Sequence, residues 1–112
     1  MKLPNAQDAI IESDKLQDYI LAPEHPVGRF KAAFFRAIGY SRANWAQLES
    51  DLREFHLSEG VSDTVESRYG MKYVIRANLK GPNGETVEIV SVWIILNGEK
   101  LPRFVTVYPG ER

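Results

Sequence analysis

The sequence contains no cysteine, and that absence removes several classes of site at once. Disulfide bonds and thiolate metal sites are excluded. Long apolar runs are missing too, because the longest, Val92 to Leu96, is far shorter than a membrane span. The opening residues, MKLPNAQDAI, hold one lysine and no apolar stretch of signal-peptide length. From these absences we expect a cytoplasmic protein with no membrane contact.

An excess of basic charge is absent as well. The 112 residues include 14 Lys and Arg against 15 Asp and Glu, a formal net charge of −1. Proteins that bind duplex DNA take their affinity from many phosphate contacts, so we expect no duplex DNA partner and at most a local patch for RNA. The two histidines, His25 and His56, form no HxH or HExxH pattern, and no phosphate-cradling glycine loop is present. We therefore expect no metal and no cofactor.

The patterns that are present predict one α+β domain over residues 1–112, with helices first and an antiparallel meander after them. A short helix is predicted from Asp14 to about Leu21, and we expect it to bury Leu16, Tyr19 and Ile20. A third helix, roughly Arg42 to Leu57, follows Ser41 as its N-cap. His56 lies near the end of that helix, where an imidazolium would complement the helix dipole. Residues 58–67 are polar and acidic without a period, which indicates a loop.

The stretch Pro23 to Tyr40 predicts the second helix and the candidate site. Apolar residues recur at helical spacing and are expected to face the core; they are Phe30, Ala33, Phe34, Ala37 and Ile38. Arg29, Lys31 and Arg36 lie on the opposite flank, with His25 just upstream. His25 either hydrogen-bonds the loop backbone or acts in proton transfer at neutral pH. Both interpretations stay open at this point.

After residue 68 the apolar period changes to two, which predicts three to four antiparallel strands. Their limits are expected near Tyr69 to Leu79, Thr86 to Leu96 and Arg103 to Tyr108. If one face packs on the helices, it holds Met71, Tyr73, Ile75, Val90, Val92, Ile94, Val105 and Val107. The opposite face then carries Lys72, Arg76, Asn78, Ser91, Trp93, Thr106 and Tyr108. That face offers cations, hydroxyls and aromatics to a phosphodiester, although such residues also occur on ordinary solvent-exposed strands.

The same residues resemble a family of small bacterial domains. Its pattern is LPNA, then KLxxYLLNPxHPxGxxKAxxF with a closing LGY or LGF, then W-I and PRxVTxY. The matching pieces here are Leu3 to Ala6, Lys15 to Leu21, Pro23 to Tyr40, Trp93-Ile94 and Pro102 to Tyr108. Ala22 departs from the usual Asn. Members of this family occur beside small antitoxin or immunity genes and as terminal modules of bacterial polymorphic toxins.

The resemblance implies a fold like that of the barnase–EndoU–colicin–RelE group of ribonuclease toxins. On that analogy the chain would be a metal-independent ribonuclease of a toxin–antitoxin or polymorphic-toxin system, with RNA as substrate and a small antitoxin or immunity protein as partner. The expected catalytic residues are His25, Lys31, Thr106 and Tyr108. Residues expected to bind substrate are Arg29, Arg76, Ser91, Trp93 and Arg103.

The alternative is a non-catalytic protein-interaction domain in which the HPVGRFK segment is a structural corner. The two hypotheses differ in geometry, because catalysis requires His25, Lys31, Thr106 and Tyr108 to converge.

Overall fold

The computed structural model describes residues 1–110 and confirms the α+β prediction. Three helical regions come first. Helix α1, Ser13–Lys15, continues as a π-helical segment, Leu16–Ile20; α2 is Arg29–Ala37; α3, Trp45–Asp51, continues as a second π-helical segment, Leu52–His56. Short 3-10 helices lie at Ala6–Asp8 and Arg42–Asn44. Ser41 and Asn44 form a capping box at the start of the third region, as the N-cap prediction requires.

The strands form one antiparallel sheet in the order β1-β2-β3-β4. Their bounds are β1 Asp63–Glu66, β2 Gly70–Lys80, β3 Thr86–Leu96 and β4 Arg103–Pro109. Strand β1 lies where the sequence indicated a loop. All four of its residues are exposed, so no apolar alternation marks it, and it is a strand because it pairs with residues 71–74 of β2.

The predicted core face of the sheet is right for β2 and wrong for β3. Ile75 pairs directly with Ser91, and Tyr73 pairs with Trp93, so these four side chains share the face under the helices. Ser91 and Trp93 are fully buried there rather than on the open face. Branched apolar residues occupy both faces of β3, so its alternation did not decide which face is covered.

A bulge explains a second error of the same kind in β4. The register shifts between Val92 and Trp93, which pair with Thr106 and Phe104. Phe104 and Val107 are therefore both buried although three positions separate them, whereas Val105 is not. An extra residue in one strand turns the following side chains to the other face, and no simple period anticipates it.

The predicted core face of α2 is right in part. Ile38 is buried and Phe34 packs against the core, as expected, but Phe30 is 68% exposed, and the other buried residues of the helix are Ala32 and Phe35. The start of the helix lies close to the first helical region. A Cβ at Gly28 would lie 2.0 Å from the carbonyl oxygen of Tyr19, so this approach of the two backbones requires glycine.

Candidate functional site

The corner before α2 is built by His25. Its carbonyl accepts the N–H of Arg29 at 3.0 Å. Its Nδ1 accepts the backbone N–H groups of Val27 at 3.0 Å and Gly28 at 2.9 Å. Pro26, with its fixed φ and no N–H, stands at the first position of this turn. The His-Pro-x-Gly sequence therefore has a structural role, since it satisfies donors that the start of a helix leaves open.

The same contacts determine the tautomer of His25. Two N–H groups point at Nδ1, so that nitrogen carries the lone pair and the neutral ring has its proton on Nε2. A proton on Nδ1 would face both donors. The expected role of His25 as a proton-transfer group stays a prediction, and this arrangement favours a different one, in which Nε2–H donates a hydrogen bond.

Tyr19 joins this corner to the rest of the site. Its ring meets the ring of His25 edge to face, with centroids 5.0 Å apart. Its backbone is in contact with Gly28, and the π-helical segment Leu16–Ile20 carries it to this position. Isolated π turns are frequently found at functional sites.

Lys31 connects the corner to the last strand. Its Nζ donates to the hydroxyl oxygen of Tyr19 at 2.7 Å and to Oγ1 of Thr106 at 2.8 Å. All three residues are partly exposed. We call Tyr19, Lys31 and Thr106 the surface cluster. Within residues 1–110 no carboxylate lies at ion-pair distance from Lys31, so its charge is shared only with two neutral hydroxyls.

The lysine changes the acidity of its neighbour. The hydrogen bond from Lys31 lowers the pKa of Tyr19 below its ordinary value, and partial burial opposes that effect. The charges of Lys31 and Lys15 and the hydrogen bond with Thr106 lower the pKa further. Lys31 therefore favours the phenolate form of Tyr19.

The remaining expected site residues are distributed more widely. Tyr108 is 38% exposed and lies two residues beyond Thr106 on β4. Arg29 is exposed on α2 and stacks on the ring of Phe30 at 4.8 Å. Arg76 is paired with Glu88, and Arg103 with Glu99, at 3.2 and 3.0 Å. The structure thus brings Lys31 and Thr106 into contact, and His25 lies near them because its ring contacts Tyr19. Arg76 and Arg103, in contrast, are each paired with a carboxylate.

Ser91 and Trp93 belong to a separate group, which we call the buried cluster together with His56. The indole N–H of Trp93 donates to Oγ of Ser91 at 2.8 Å, and that oxygen is 2.6 Å from Nε2 of His56. All three residues are fully buried. A substrate at the surface does not reach them, so their expected place on an open face is wrong.

The interpretation of His56 as a dipole-complementing imidazolium is also wrong. Burial lowers its pKa to about 4, so the ring is neutral at physiological pH. Its Nδ1 has no partner among the described residues. The sequence did not reveal this because a histidine near a helix end looks the same whether it faces solvent or the sheet.

Tyr19 is the site residue that sequence reasoning missed. We expected it to be a core residue of the first helix, alongside Leu16 and Ile20, which are buried. Tyr19 itself is only partly buried. The one available signal was its place in the KLxxY part of the family pattern, next to the segment that holds His25 and Lys31.

Comparisons with known proteins give one family and a shared fold. Residues 2–111 match the family model described as Domain of unknown function (DUF6883). A search of curated proteins gave no match. Among solved structures, the fold is similar to a chain of a contact-dependent growth inhibition toxin–immunity protein complex from Klebsiella pneumoniae 342. The TM-score is 0.70 at 13% identity, over 91% of this chain and 100% of that chain. At that identity the likeness is one of fold. Across the described chain no helix has the length and apolar character to cross a membrane.

Proposed function

The chain belongs to the DUF6883 family, and we propose that it is a toxin-like, metal-independent ribonuclease of a bacterial toxin system. The observation that carries the proposal is the Lys31 ammonium, which lies between two hydroxyls with no carboxylate at ion-pair distance among residues 1–110. An ammonium has three N–H donors, and two of them are used here. The third is available to a phosphate oxygen.

Cleavage of RNA without a metal needs charge stabilisation and proton transfer. The 2′-oxygen of the substrate attacks the adjacent phosphorus, the bond to the 5′-oxygen breaks, and a cyclic phosphate and a free 5′-hydroxyl result. Lys31 would stabilise the negative charge that develops on the phosphorane oxygens, with Thr106 orienting the phosphate. The proton lost by the 2′-hydroxyl and the proton gained by the leaving oxygen have to pass through groups at the site.

Tyr19 is the group in the surface cluster best suited to that proton exchange. Lys31 lowers the pKa of its hydroxyl, and the same hydroxyl lies within 2.7 Å of the ammonium that would hold the phosphate. His25 would donate its Nε2–H to a phosphate or ribose oxygen. Tyr108 and Arg29 lie on the same two elements as Thr106 and Lys31 and would extend the binding surface.

The overall charge of −1 is compatible with RNA binding on this scale. A small, focused patch of positive potential attracts a phosphate even when the molecule as a whole is slightly acidic. Arg76 and Arg103 contribute little positive potential to such a patch, because each is paired with a glutamate.

The fold likeness supports the toxin-system part of the proposal. The similar chain from Klebsiella pneumoniae 342 belongs to a toxin–immunity protein complex. For the present chain we propose a small antitoxin or immunity protein as partner.

A second candidate function is a non-catalytic interaction domain. The exposed side of α2 favours it, because Phe30 is 68% exposed and Val27, just before the helix, is 60% exposed. Exposed apolar residues grouped on one side often mark a protein contact. On this hypothesis the His25 corner serves only to hold the helix.

Expression of the wild type and of Lys31→Met in bacteria separates the two functions. Methionine keeps the length of the side chain and removes its charge, so RNA cleavage by the purified variant should fall by about 100-fold or more. Lys100→Met is the matched control, because it makes the same substitution at an exposed lysine that lies outside the surface cluster and has no assigned role in the site. Growth and total RNA integrity are followed for all three.

If wild type and Lys31→Met leave growth and RNA equally intact, the ribonuclease proposal is wrong and the interaction domain is favoured. If Lys100→Met loses as much activity as Lys31→Met, general positive charge rather than the surface cluster is responsible.

A further inference from the structure

Strand β2 is longer than the strand that covers its outer edge. It spans Gly70–Lys80, but β1 pairs only with residues 71–74. The last part of β2, residues 76–80, is therefore an edge of the sheet, bonded to β3 on one side only. A free edge presents backbone donors and acceptors to any strand that can reach it.

The hydrogen bonds along β2 show which of its backbone groups point outward. Val74 accepts the N–H of Ser62 at 2.7 Å, and the N–H of Arg76 donates to Oγ of Ser62 at 3.0 Å, both on the β1 side. Gly81 donates to the carbonyl of Glu85 at 2.8 Å, on the β3 side. Successive residues of a strand point their backbone groups to alternate edges.

Asn78 and Lys80 therefore point their backbone groups away from β3. The carbonyl of Lys80 is 3.5 Å from the hydroxyl of Tyr40. In residues 1–110 no partner is found for the N–H and C=O of Asn78 or for the N–H of Lys80. Both residues are exposed, so water satisfies these groups in the free protein.

A groove runs beside this edge. It has a volume of about 570 Å³, within the range of roughly 300–1,000 Å³ that ligand sites occupy. The third helical region forms one wall, with Gln47, Asp51 and Phe55, and the end of β2 forms the other. Phe55 is 55% exposed, so most of its ring is available for a further contact.

The wall of the groove is held firmly. Asp51 is only 7% exposed, and both its carboxylate oxygens accept hydrogen bonds, from the Tyr40 hydroxyl at 2.5 Å and from Gln47 Nε2 at 2.8 Å. Burial, and then the neighbouring Asp51 carboxylate, raise the pKa of Tyr40, so that its hydroxyl remains a donor. Asp51 therefore has a structural role, since both of its carboxylate oxygens are already hydrogen-bonded within the chain.

We propose that residues 76–80 of β2 bind an extended peptide segment of a partner protein as an added strand. The unpaired groups of Asn78 and Lys80 require a backbone, which a peptide supplies and a small apolar ligand does not. An apolar side chain of the segment packs on Phe55 and Pro82, and an acidic one pairs with Lys80, which has no carboxylate at ion-pair distance in the described chain.

A second copy of this chain fits the site less well. Pairing two sheets edge to edge needs open space beside both strands, whereas the third helical region stands across the groove from β2. A single extended segment fits between a strand and a helix, as in other domains that add a peptide to a sheet edge.

This site is independent of the proposed ribonuclease function. The surface cluster involves Thr106 on β4, and β4 is at the opposite end of the strand order β1-β2-β3-β4. A segment bound along β2 therefore leaves Lys31 uncovered, and loss of one function does not predict loss of the other.

The test uses a phage-displayed library of random linear peptides, selected against the wild-type chain. A synthetic copy of a selected peptide is then titrated against wild type, Asn78→Pro and Asn78→Ala. Proline removes only the outward N–H at an edge position, where it is tolerated, and alanine keeps that N–H. We expect Asn78→Pro to weaken peptide binding by up to about tenfold, because one hydrogen bond is lost. Asn78→Ala should bind the peptide with nearly the same affinity as the wild type.

Two further measurements complete the test. Phe55→Ala, at an exposed position, should also weaken binding and keeps the proposal open to refutation if Asn78→Pro fails to fold. Amide hydrogen exchange of Asn78 and Lys80 should slow when the peptide binds.

A selection without binders, or binders that Asn78→Pro and Phe55→Ala leave unaffected, overturns the proposal. So does light scattering that finds a dimer of the wild type which Asn78→Pro abolishes, since the occupant would then be a second copy.

Discussion

The surface cluster and the buried cluster use similar chemical groups to different ends. Each joins a nitrogen-bearing side chain to a hydroxyl and an aromatic residue: Lys31 with Thr106 and Tyr19, and His56 with Ser91 and Trp93. The first is partly exposed and carries an unneutralised charge. The second is fully buried and neutral. The comparison teaches that the surroundings, rather than the residue types, determine which cluster can act on a ligand.

Both clusters lower a pKa, but by opposite mechanisms. A hydrogen bond from a neighbouring cation lowers the pKa of Tyr19 and favours its charged form. Loss of water around the imidazole lowers the pKa of His56 and favours its neutral form. A site that handles phosphate needs the first arrangement. The second stabilises a core.

The largest expected difference between the two clusters is the effect of His56 on the pH dependence of stability. The unfolded chain protonates His56 below its ordinary pKa of 6.5, whereas the folded chain resists protonation until about pH 4. The free energy of unfolding should therefore fall by about 3 kcal/mol as the pH drops from 6.5 to 4, and this contribution should level off below that.

The measurement is urea unfolding at several pH values, for wild type and for His56→Gln. Glutamine does not titrate, and the carboxylates contribute equally to both proteins, so the difference between the two curves isolates His56. Parallel curves would mean that His56 is accessible to protons in the folded state, and the contrast between the clusters would disappear.

A smaller effect is expected from Ser91→Ala. The change leaves the indole N–H of Trp93 and Nε2 of His56 without their shared partner, and an unsatisfied buried group costs about 1–3 kcal/mol. Thermal or urea unfolding measures the loss. Ser50→Ala, at an exposed helix position, should change stability by less than about 0.5 kcal/mol.

Activity per folded molecule should be unaffected by Ser91→Ala. If Ser91→Ala stays folded and loses as much RNA cleavage as Lys31→Met does, the buried cluster contributes to the reaction and the two clusters are not separate in function.

The smallest effect is a titration shift at Tyr19. In the wild type its phenol should ionise below the ordinary tyrosine pKa, because Lys31 stabilises the phenolate. Lys31→Met should move this ionisation upward, and Thr106→Val, which removes a weaker contribution, should move it less. Carbon-13 NMR of labelled tyrosine follows the ring directly, and a Tyr19→Phe sample assigns the resonance. An unchanged titration in Lys31→Met would show that the two side chains do not interact in solution.

The fold was largely predictable from the sequence, for a physical reason. Period and turn signals are local, so the helices, the long strands β2 and β3 and the capping of the third helix by Ser41 could be predicted. Strand β1 could not, because its four residues are all exposed and only pairing with β2 makes them a strand.

The faces of the elements were less predictable. The burial of Ala32 and Phe35 depends on how α2 packs against its neighbours, and the faces of β3 and β4 depend on a bulge and on a buried hydroxyl at Ser91. Because these are tertiary contacts, the apolar pattern of a single segment does not show which of its faces is buried.

The candidate site was predictable in part. The sequence pointed to Lys31 and Thr106, which the structure brings together at 2.8 Å, and to His25, whose ring meets Tyr19. It did not point to Tyr19 or to the use of His25 Nδ1 by the backbone, because each depends on where a neighbouring segment lies.

The two π-helical segments make the protein sensitive to the number of residues in each segment. In each, a backbone bond closes over five residues, from Leu21 N–H to Leu16 C=O and from Leu57 N–H to Leu52 C=O, both 2.8 Å. A π turn holds one residue more than an α turn, so removing a single amino acid would restore ordinary winding with the flanks nearly in register and would redirect the side chains inside the turn. Tyr19 and His56 sit inside these widened turns, so a one-residue deletion would act as a more drastic change than most substitutions.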